Sequence, residues 1–131
     1  MKRAGILHAE LSGHIARLGH TDEFLVVDSG FPVPAGVPVV DLRVVYGLPG
    51  FVPVLDAVLA EVVVERSVVA EELAAANPPI DQVFADRLPE TERVPHIELK
   101  RIATRARFAV RTAEDTPYAN VLLTAGVGFP V

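Results

Sequence analysis

Residues 17–30 read RLGHTDEFLVVDSG, and this stretch contains the local signals that decide the fold. The apolar run at residues 24–27 is typical of a strand that is buried on both faces, as in a sheet covered by helices. Gly19 suits the left-handed position just past a helix end, and Asp28-Ser29-Gly30 predicts a turn. The stretch therefore predicts a helix end, a buried strand and a turn in direct succession. His20 follows the helix, and Asp28 lies at the carboxyl end of the strand.

The rest of the chain continues this alternation of helices and strands. Leu11, Ile15 and Leu18 recur at helical spacing, which predicts a helix over residues 10–18. Further strands are predicted at residues 39–42, 62–64, 108–112 and 119–127, and further helices from about Pro53, over residues 68–76, around Val83 to Leu88 and around Leu99 to Ala106. The pattern indicates an α/β fold with a mostly parallel sheet covered by helices, in a single domain of residues 1–131.

The composition limits the classes of function. The chain has no cysteine, which excludes disulfides, thiolate nucleophiles and zinc–thiolate sites. Its apolar runs are too short to span a membrane, and no signal-type segment precedes them, so we expect a soluble cytoplasmic protein without a membrane partner. The net charge of −5 argues against a nucleic-acid partner. We interpret the six basic side chains within residues 93–111 as solvated surface.

Asp28 and His20 are candidates for a functional pair. In open α/β sheets, ligands bind outside the carboxyl ends of the strands, where Asp28 is predicted to lie. His20 lies eight residues away and can carry protons near neutral pH, so the two side chains could share a pocket. From local sequence alone, Asp28 can equally cap the following turn, and His20 can equally be a surface or capping residue.

The spacing of three histidines raises the question of a metal site. His8, His14 and His20 recur every six residues, and six residues turn a helix by about 240°. The three rings would then point to different sides of a helix, so we expect no metal. The chain also lacks the G-x-S-x-G, P-loop and G-x-G-x-x-G motifs. We therefore expect proton chemistry without a cofactor.

An ordered set of motifs resembles the RbsD-type D-ribose pyranases. The motifs are RLGHTD at residues 17–22, DSGFPVP at 28–34, YGLPGF at 46–51, and PYAN at 117–120 followed by AGV at 125–127. The resemblance runs nearly end to end and is loosest at residues 79–95. It implies an RbsD-like fold and the activity of a D-ribose pyranase, an isomerase that interconverts the pyranose and furanose forms of D-ribose in ribose utilisation.

The resemblance also implies roles for individual residues. His20, in the LGHTD motif, is implied as the proton donor. The implied substrate-binding residues are Asp28, His96, Tyr118, Ala119 and Asn120. Without the resemblance, Tyr118 would be interpreted as a packing aromatic, Asn120 as a turn residue and His96 as a surface histidine at a helix start.

Two other functions stay open. An L-fucose mutarotase has the same fold, but fucose-type relatives usually show G-H-G-D and Y-G-N, whereas this chain has GHTD at residues 19–22 and YAN at residues 118–120. Ribose is therefore favoured. A non-catalytic sugar-binding module would use the same pocket without needing His20 as an acid.

The chain is also predicted to form a homo-oligomer. Its mean hydropathy of +0.36 is high for a small domain, and the tail ANVLLTAGVGFPV stays apolar to its last residue. The resemblance implies a decamer of two stacked pentameric rings, with sites between adjacent subunits. One arrangement to test has His20 and Asp28 on one subunit and Tyr118 and Asn120 on the next.

Overall fold

The computed structural model describes all 131 residues and contains one six-stranded mixed sheet. The elements are α1 (Ala9–Ala16), β1 (Glu23–Val27), β2 (Val39–Asp41), α2 (Phe51–Leu59), β3 (Val64–Ala70), α3 (Leu73–Ala76), α4 (Pro78–Arg87), β4 (Thr91–Val94), α5 (His96–Ile102), a 3-10 turn (Ala103–Arg105), β5 (Ala109–Arg111) and β6 (Val121–Ala125). The strand order is β2-β5-β1-β6-β3-β4. β6 runs antiparallel to β1 and β3, whereas the β1–β5, β2–β5 and β3–β4 pairs are parallel. The α/β class predicted from the sequence is confirmed.

Alternate residues of β1 face two separate apolar cores. Phe24 and Val26 belong to the larger core, which includes residues of α1, α2, α3 and α4. Leu25 and Val27 belong to the smaller core, which includes residues of α5. Residues 24–27 are all fully buried, as expected for a central strand covered on both faces. The apolar run in the opening stretch thus forms a central strand of the sheet.

The turn before β1 differs from the prediction in one detail. Gly19 does not adopt a positive φ, and the left-handed conformation is found at Thr21, with φ of 74°. The turn is closed by Asp22, whose Oδ2 accepts a hydrogen bond from the Gly19 backbone N–H at 2.9 Å. The Thr21 N–H donates to the Ala125 carbonyl at 2.9 Å. The residue with the left-handed conformation is therefore one that is hydrogen-bonded to β6.

The segment around β3 was predicted incorrectly. The sequence predicted a strand at residues 62–64 and a helix over residues 68–76, but Val68, Val69 and Ala70 complete β3 and the helix α3 is limited to Leu73–Ala76. Val68 and Val69 pair with Leu122 and Val121 of β6. A short apolar run does not distinguish a buried strand from a helix, and the sheet pairing decides here. The edge strand β4 was not predicted, because its residues show no apolar alternation.

Most of the basic side chains within residues 93–111 form ion pairs. Of the six within residues 93–111, five contact a carboxylate: Arg93 with Asp81, Arg101 with Glu98, Arg105 with Glu23, Arg107 with Asp22 and Arg111 with Asp41. These guanidinium groups are therefore partly neutralised within the chain. No helix has both the length and the apolar composition needed to cross a bilayer.

Candidate functional site

The centre of the candidate site is a reciprocal hydrogen-bonded pair formed by Asp28 and Asn120. The Asp28 backbone N–H donates to Asn120 Oδ1 at 2.8 Å, and Asn120 Nδ2 donates to Asp28 Oδ2 at 3.0 Å. Asp28 directly follows β1, and Asn120 directly precedes β6. Because β1 and β6 are antiparallel neighbours, these two positions meet at the same end of the sheet. The pair fixes the Asp28 carboxylate at the position predicted for a ligand-binding group.

Two aromatic contacts hold His96 beside this pair. The His96 ring meets the Tyr118 ring edge to face at 5.1 Å between centroids and the Phe31 ring at 6.0 Å. The His96 backbone N–H, at the start of α5, donates to both carboxylate oxygens of Glu72, at 2.9 and 3.1 Å. His96 Nδ1 is buried without a hydrogen-bond partner in the chain. Buried polar atoms rarely stay unpartnered, so this nitrogen is suited to bind a ligand.

The backbone at Tyr118 and Ala119 orients the rest of the site. Tyr118 has a positive φ of 59°. Non-glycine residues rarely adopt this conformation, and those that do are often at functional positions. Its carbonyl accepts a hydrogen bond from the Asn120 N–H at 2.8 Å. Ala119 is fully buried and packs in the larger core. Tyr118 and Asn120 therefore flank a residue that is anchored in the protein interior.

The electrostatic surroundings change the pKa values of Asp28 and His96 in opposite directions. Burial raises the pKa of Asp28, and hydrogen bonds from Gly30, Asn120 and Phe31 partly oppose this effect. Burial lowers the pKa of His96, and the nearby charge of Lys100 adds to the decrease. His96 is therefore the neutral partner near pH 7, and its ring can both accept and donate a hydrogen bond.

A surface cleft of about 370 Å³ opens at Asp28. Its lining residues are Asp28, Ser29, Gly30, Tyr46, Glu114, Asp115, Thr116 and Pro117. Glu114 links the loop between β5 and β6 to the start of α2, because its Oε1 accepts from the Phe51 N–H at 2.8 Å. Its Oε2 accepts from the hydroxyl of Thr116 in the same loop at 2.7 Å. Tyr46 is in the YGLPGF motif, but the sequence did not identify it or Glu114 as site residues.

His20 lies at the opposite end of β1 from the cluster of Asp28, His96, Tyr118 and Asn120. Residues 21 and 22 bond to Ala125, at the end of β6 that is far from Asn120. The five-residue strand β1 lies between His20 and Asp28. At about 3.3 Å per strand residue, the two are roughly 15 Å or more apart. His20 Nε2 instead contacts Glu65 Oε2 at 3.0 Å. The prediction that His20 and Asp28 of one chain share a pocket is wrong. The division of Asp28 and Asn120 between two subunits is also wrong, because they bond within one chain.

The other two histidines of the six-residue series make unrelated contacts. His8 Nδ1 caps α1 by accepting from the Leu11 N–H at 3.2 Å, and His14 stacks on Phe108 at 4.9 Å between centroids. No group of three or more histidine and carboxylate side chains is arranged to hold a metal ion. The three histidines therefore have three separate structural environments.

Comparison with known proteins places this geometry in a family. Residues 1–128 match the model of the RbsD / FucU transport protein family. The chain belongs to the RbsD/FucU family. A member from Rubrobacter xylanophilus, D-ribose pyranase 1, is 54% identical over 129 residues, which cover 98% of this chain and all of that protein. The family assignment made from the ordered motifs is confirmed.

Two solved structures share this fold at different levels of sequence identity. The structure of Bacillus subtilis RbsD complexed with D-ribose has a TM-score of 0.94 and 39% identity, over 98% of this chain and all of that one. The fucose mutarotase from Streptococcus pneumoniae, in complex with L-fucose, has a TM-score of 0.80 over 98% of this chain and all of that one, but only 17% identity. The fucose mutarotase therefore shares the fold, and the RbsD structure shares both fold and substantial sequence.

Proposed function

We propose that the protein is a D-ribose pyranase, a single-domain cytoplasmic isomerase that interconverts the pyranose and furanose forms of D-ribose. The observation that carries the proposal is the Asp28–Asn120 pair beside the His96 and Tyr118 rings, in a chain 54% identical to a full-length relative named D-ribose pyranase. The D-ribose complex of the 39% identical Bacillus subtilis RbsD supports the same sugar as ligand.

The proposed reaction consists of proton transfers coupled to ring opening and closure. The anomeric hydroxyl loses a proton, the bond between the anomeric carbon and the ring oxygen breaks, and the ring oxygen gains a proton. A different hydroxyl then adds to the carbon of the exposed aldehyde and closes the other ring, as this hydroxyl loses its proton and the aldehyde oxygen gains one. Positioned acid–base catalysis typically contributes roughly 10² to 10⁴ in rate. We propose His20 as the proton donor, without a metal or cofactor.

The proposed substrate-binding residues are Asp28, His96, Tyr118, Ala119 and Asn120. The Asp28 oxygens accept from Gly30 and Asn120, and each retains acceptor capacity for a sugar hydroxyl. His96 would use its unpartnered Nδ1, and Tyr118 offers a ring face and a hydroxyl. The Ala119 methyl group is buried in the core, so a contact with the sugar would come from its backbone.

With His20 as the proposed proton donor, a complete site would need a second copy of the chain, because His20 lies at the other end of β1 from the cluster. We propose a homo-oligomer, a decamer of two stacked pentameric rings, in which His20 of one subunit faces the cluster of its neighbour. Exposed apolar side chains support an interface; they include Val44, Val45, Tyr46, Leu48, Val63 and Phe129. In a closed ring, one repeated contact completes every site.

Saturation-transfer NMR on D-ribose tests the activity directly. Micromolar protein in excess chelator should increase transfer between pyranose and furanose signals, and His20→Ala should lose most of this increase while keeping the fold. Unchanged transfer with the wild-type protein would contradict the proposal. Binding of ribose without exchange would indicate a sugar-binding module. Faster anomer exchange of L-fucose than ring exchange of D-ribose would favour a mutarotase.

A further inference from the structure

We infer that Glu65 is a positioning residue, which holds the His20 ring through Nε2 and leaves Nδ1 as the nitrogen that exchanges protons with the sugar. The inference rests on the proposed function of His20. Glu65 is 45 positions from His20 in the sequence, and none of the motifs includes it. Its role follows from three features of the sheet end at which both residues lie.

The first feature is the contact itself. His20 Nε2 and Glu65 Oε2 are 3.0 Å apart. An ionised carboxylate can only accept hydrogen bonds, so Nε2 must carry the hydrogen. In the neutral ring, Nδ1 then has the free lone pair and can act as a base. In the protonated ring, Nδ1 carries the second hydrogen and can act as an acid. No hydrogen bond within the chain engages Nδ1, which leaves it available to a ligand.

The second feature is an irregularity of β3 at Glu65. The register between β3 and β6 shifts between Val64 and Arg66, and such bulges re-aim side chains. The Gly126 N–H donates to the Val63 carbonyl at 2.7 Å. A Cβ atom at Gly126 would lie 3.0 Å from Val63 Cγ1 and 3.4 Å from the Glu65 Cβ. The glycine of the AGV motif therefore permits the close approach that directs Glu65 toward His20.

The third feature is the backbone beside His20. The Thr21 N–H donates to the Ala125 carbonyl at 2.9 Å, and the Ala125 N–H donates to the Asp22 carbonyl at 2.9 Å. Thr21 takes a positive φ of 74°, which is unfavourable for a β-branched residue and persists only where its surroundings hold it. The segments that carry His20 and Glu65 are thus both attached to the end of β6, at Ala125 and Gly126.

The ion pair is poorly suited to a purely stabilising role. The side chains of His20 and Glu65 are 52% and 37% exposed, and exposed ion pairs contribute little to folding stability. A histidine base, in contrast, is commonly oriented by a third group that bonds to its other nitrogen. With Nε2 occupied by Glu65, the ring presents Nδ1 to the sugar held by the neighbouring subunit.

Enzyme kinetics of three variants separates positioning from structural support. Glu65→Ala should lower kcat for ring exchange by about tenfold or more, as expected when a hydrogen bond to a charged group is removed. KM should stay within about twofold, because Glu65 does not bind the sugar. Glu65→Gln keeps a carbonyl that can accept from Nε2–H, so it should retain more activity than Glu65→Ala. Glu92→Ala, which removes an exposed carboxylate from β4, should match the wild type.

The tautomer of His20 provides a test that does not depend on activity. Solid-state ¹⁵N NMR of [¹⁵N]histidine-labelled protein distinguishes protonated from unprotonated ring nitrogens, and His20→Gln identifies the His20 signals. Neutral His20 should be protonated at Nε2 in the wild type and a mixture of tautomers in Glu65→Ala. The Nδ1–H tautomer in the wild type, or an unchanged kcat in Glu65→Ala, would overturn the inference. If the wild-type protein does not catalyse ring exchange, the proposed function and the catalytic role of Glu65 are both excluded. The ¹⁵N spectrum would still show whether Glu65 orients the His20 ring.

Discussion

Replacing Asn120 with alanine should damage both the stability and the activity of the protein. Asn120 is 1% exposed, and its side chain makes two hydrogen bonds to Asp28, one to the backbone N–H at 2.8 Å and one to the carboxylate at 3.0 Å. Alanine removes both and adds no clash. The substitution therefore isolates the contribution of this pair to the geometry of the cluster.

The size of the effect depends on the polar groups of Asp28 that lose their hydrogen-bond partner. A buried N–H without a partner costs about 1–3 kcal/mol, and loss of a bond to a charged group costs about 1.5–3 kcal/mol. Asp28 is only half-buried, so water can replace part of the second contact. We expect the free energy of unfolding to fall by about 2–4 kcal/mol. A comparable loss of transition-state stabilisation would lower kcat/KM by roughly 10²-fold.

Urea denaturation measures the stability change, and saturation-transfer NMR on D-ribose measures the activity. Ser67→Ala is the matched control, because Ser67 is buried on β3 and its hydroxyl bonds to the Glu90 carbonyl at 2.6 Å, away from the cluster. The control should lose about 1–2 kcal/mol of stability and keep kcat/KM. An Asn120→Ala protein within about 0.5 kcal/mol of the wild type, or one with full exchange activity, would refute the argument.

Three further predictions concern the surroundings of the site. Because the pKa of His96 is lowered in the folded state, its contribution to stability should be complete above about pH 6.5 and be lost as the pH falls through the folded pKa. The urea midpoints of the wild type and His96→Gln should therefore diverge between pH 7 and pH 5. Midpoints that run parallel would contradict this prediction. Glu72→Ala frees the His96 backbone N–H and should raise KM for ribose by about 3- to 10-fold with a smaller change in kcat; an unchanged KM would exclude Glu72 from positioning His96. Gly126→Ala places a Cβ 3.0 Å from Val63 and should lower stability by about 1–2 kcal/mol; a neutral result would show that the sheet end adapts freely.

The sequence predicted those parts of the candidate site that lie next to a strand with a strong local signal. The apolar run at residues 24–27 located β1, and it placed Asp28 at the carboxyl end of that strand. Local sequence alone did not link Asp28 to Asn120, because the two are 92 positions apart and either can serve as a turn residue. The ordered motifs assigned both residues to one site by resemblance, but they did not predict the contact between the two within one chain.

The errors arose where nonlocal contacts decide the structure. Val68 to Ala70 form a strand because β6 pairs with them, and no periodicity distinguished that outcome from a helix. His20 and Asp28 are close in sequence, but an extended strand separates its two ends by its whole length. Glu65 and Glu72 each bond to one residue that is distant in the sequence, His20 and His96 respectively, so no local pattern predicted either contact.

Subunit complementation tests most directly whether the site is shared between chains. In the proposed shared site, His20 comes from one subunit and the Asp28–Asn120 cluster from the next, so random 1:1 mixing of His20→Ala and Asn120→Ala subunits should leave about one quarter of the sites intact. Mixing Asp28→Ala with Asn120→Ala should restore nothing, since no chain would then carry a complete cluster. We therefore predict about a quarter of wild-type exchange in the first mixture, and in the second no more than the residual activity of the separate variants. No recovery in the first mixture despite proven subunit exchange, or recovery in the second, would contradict the account.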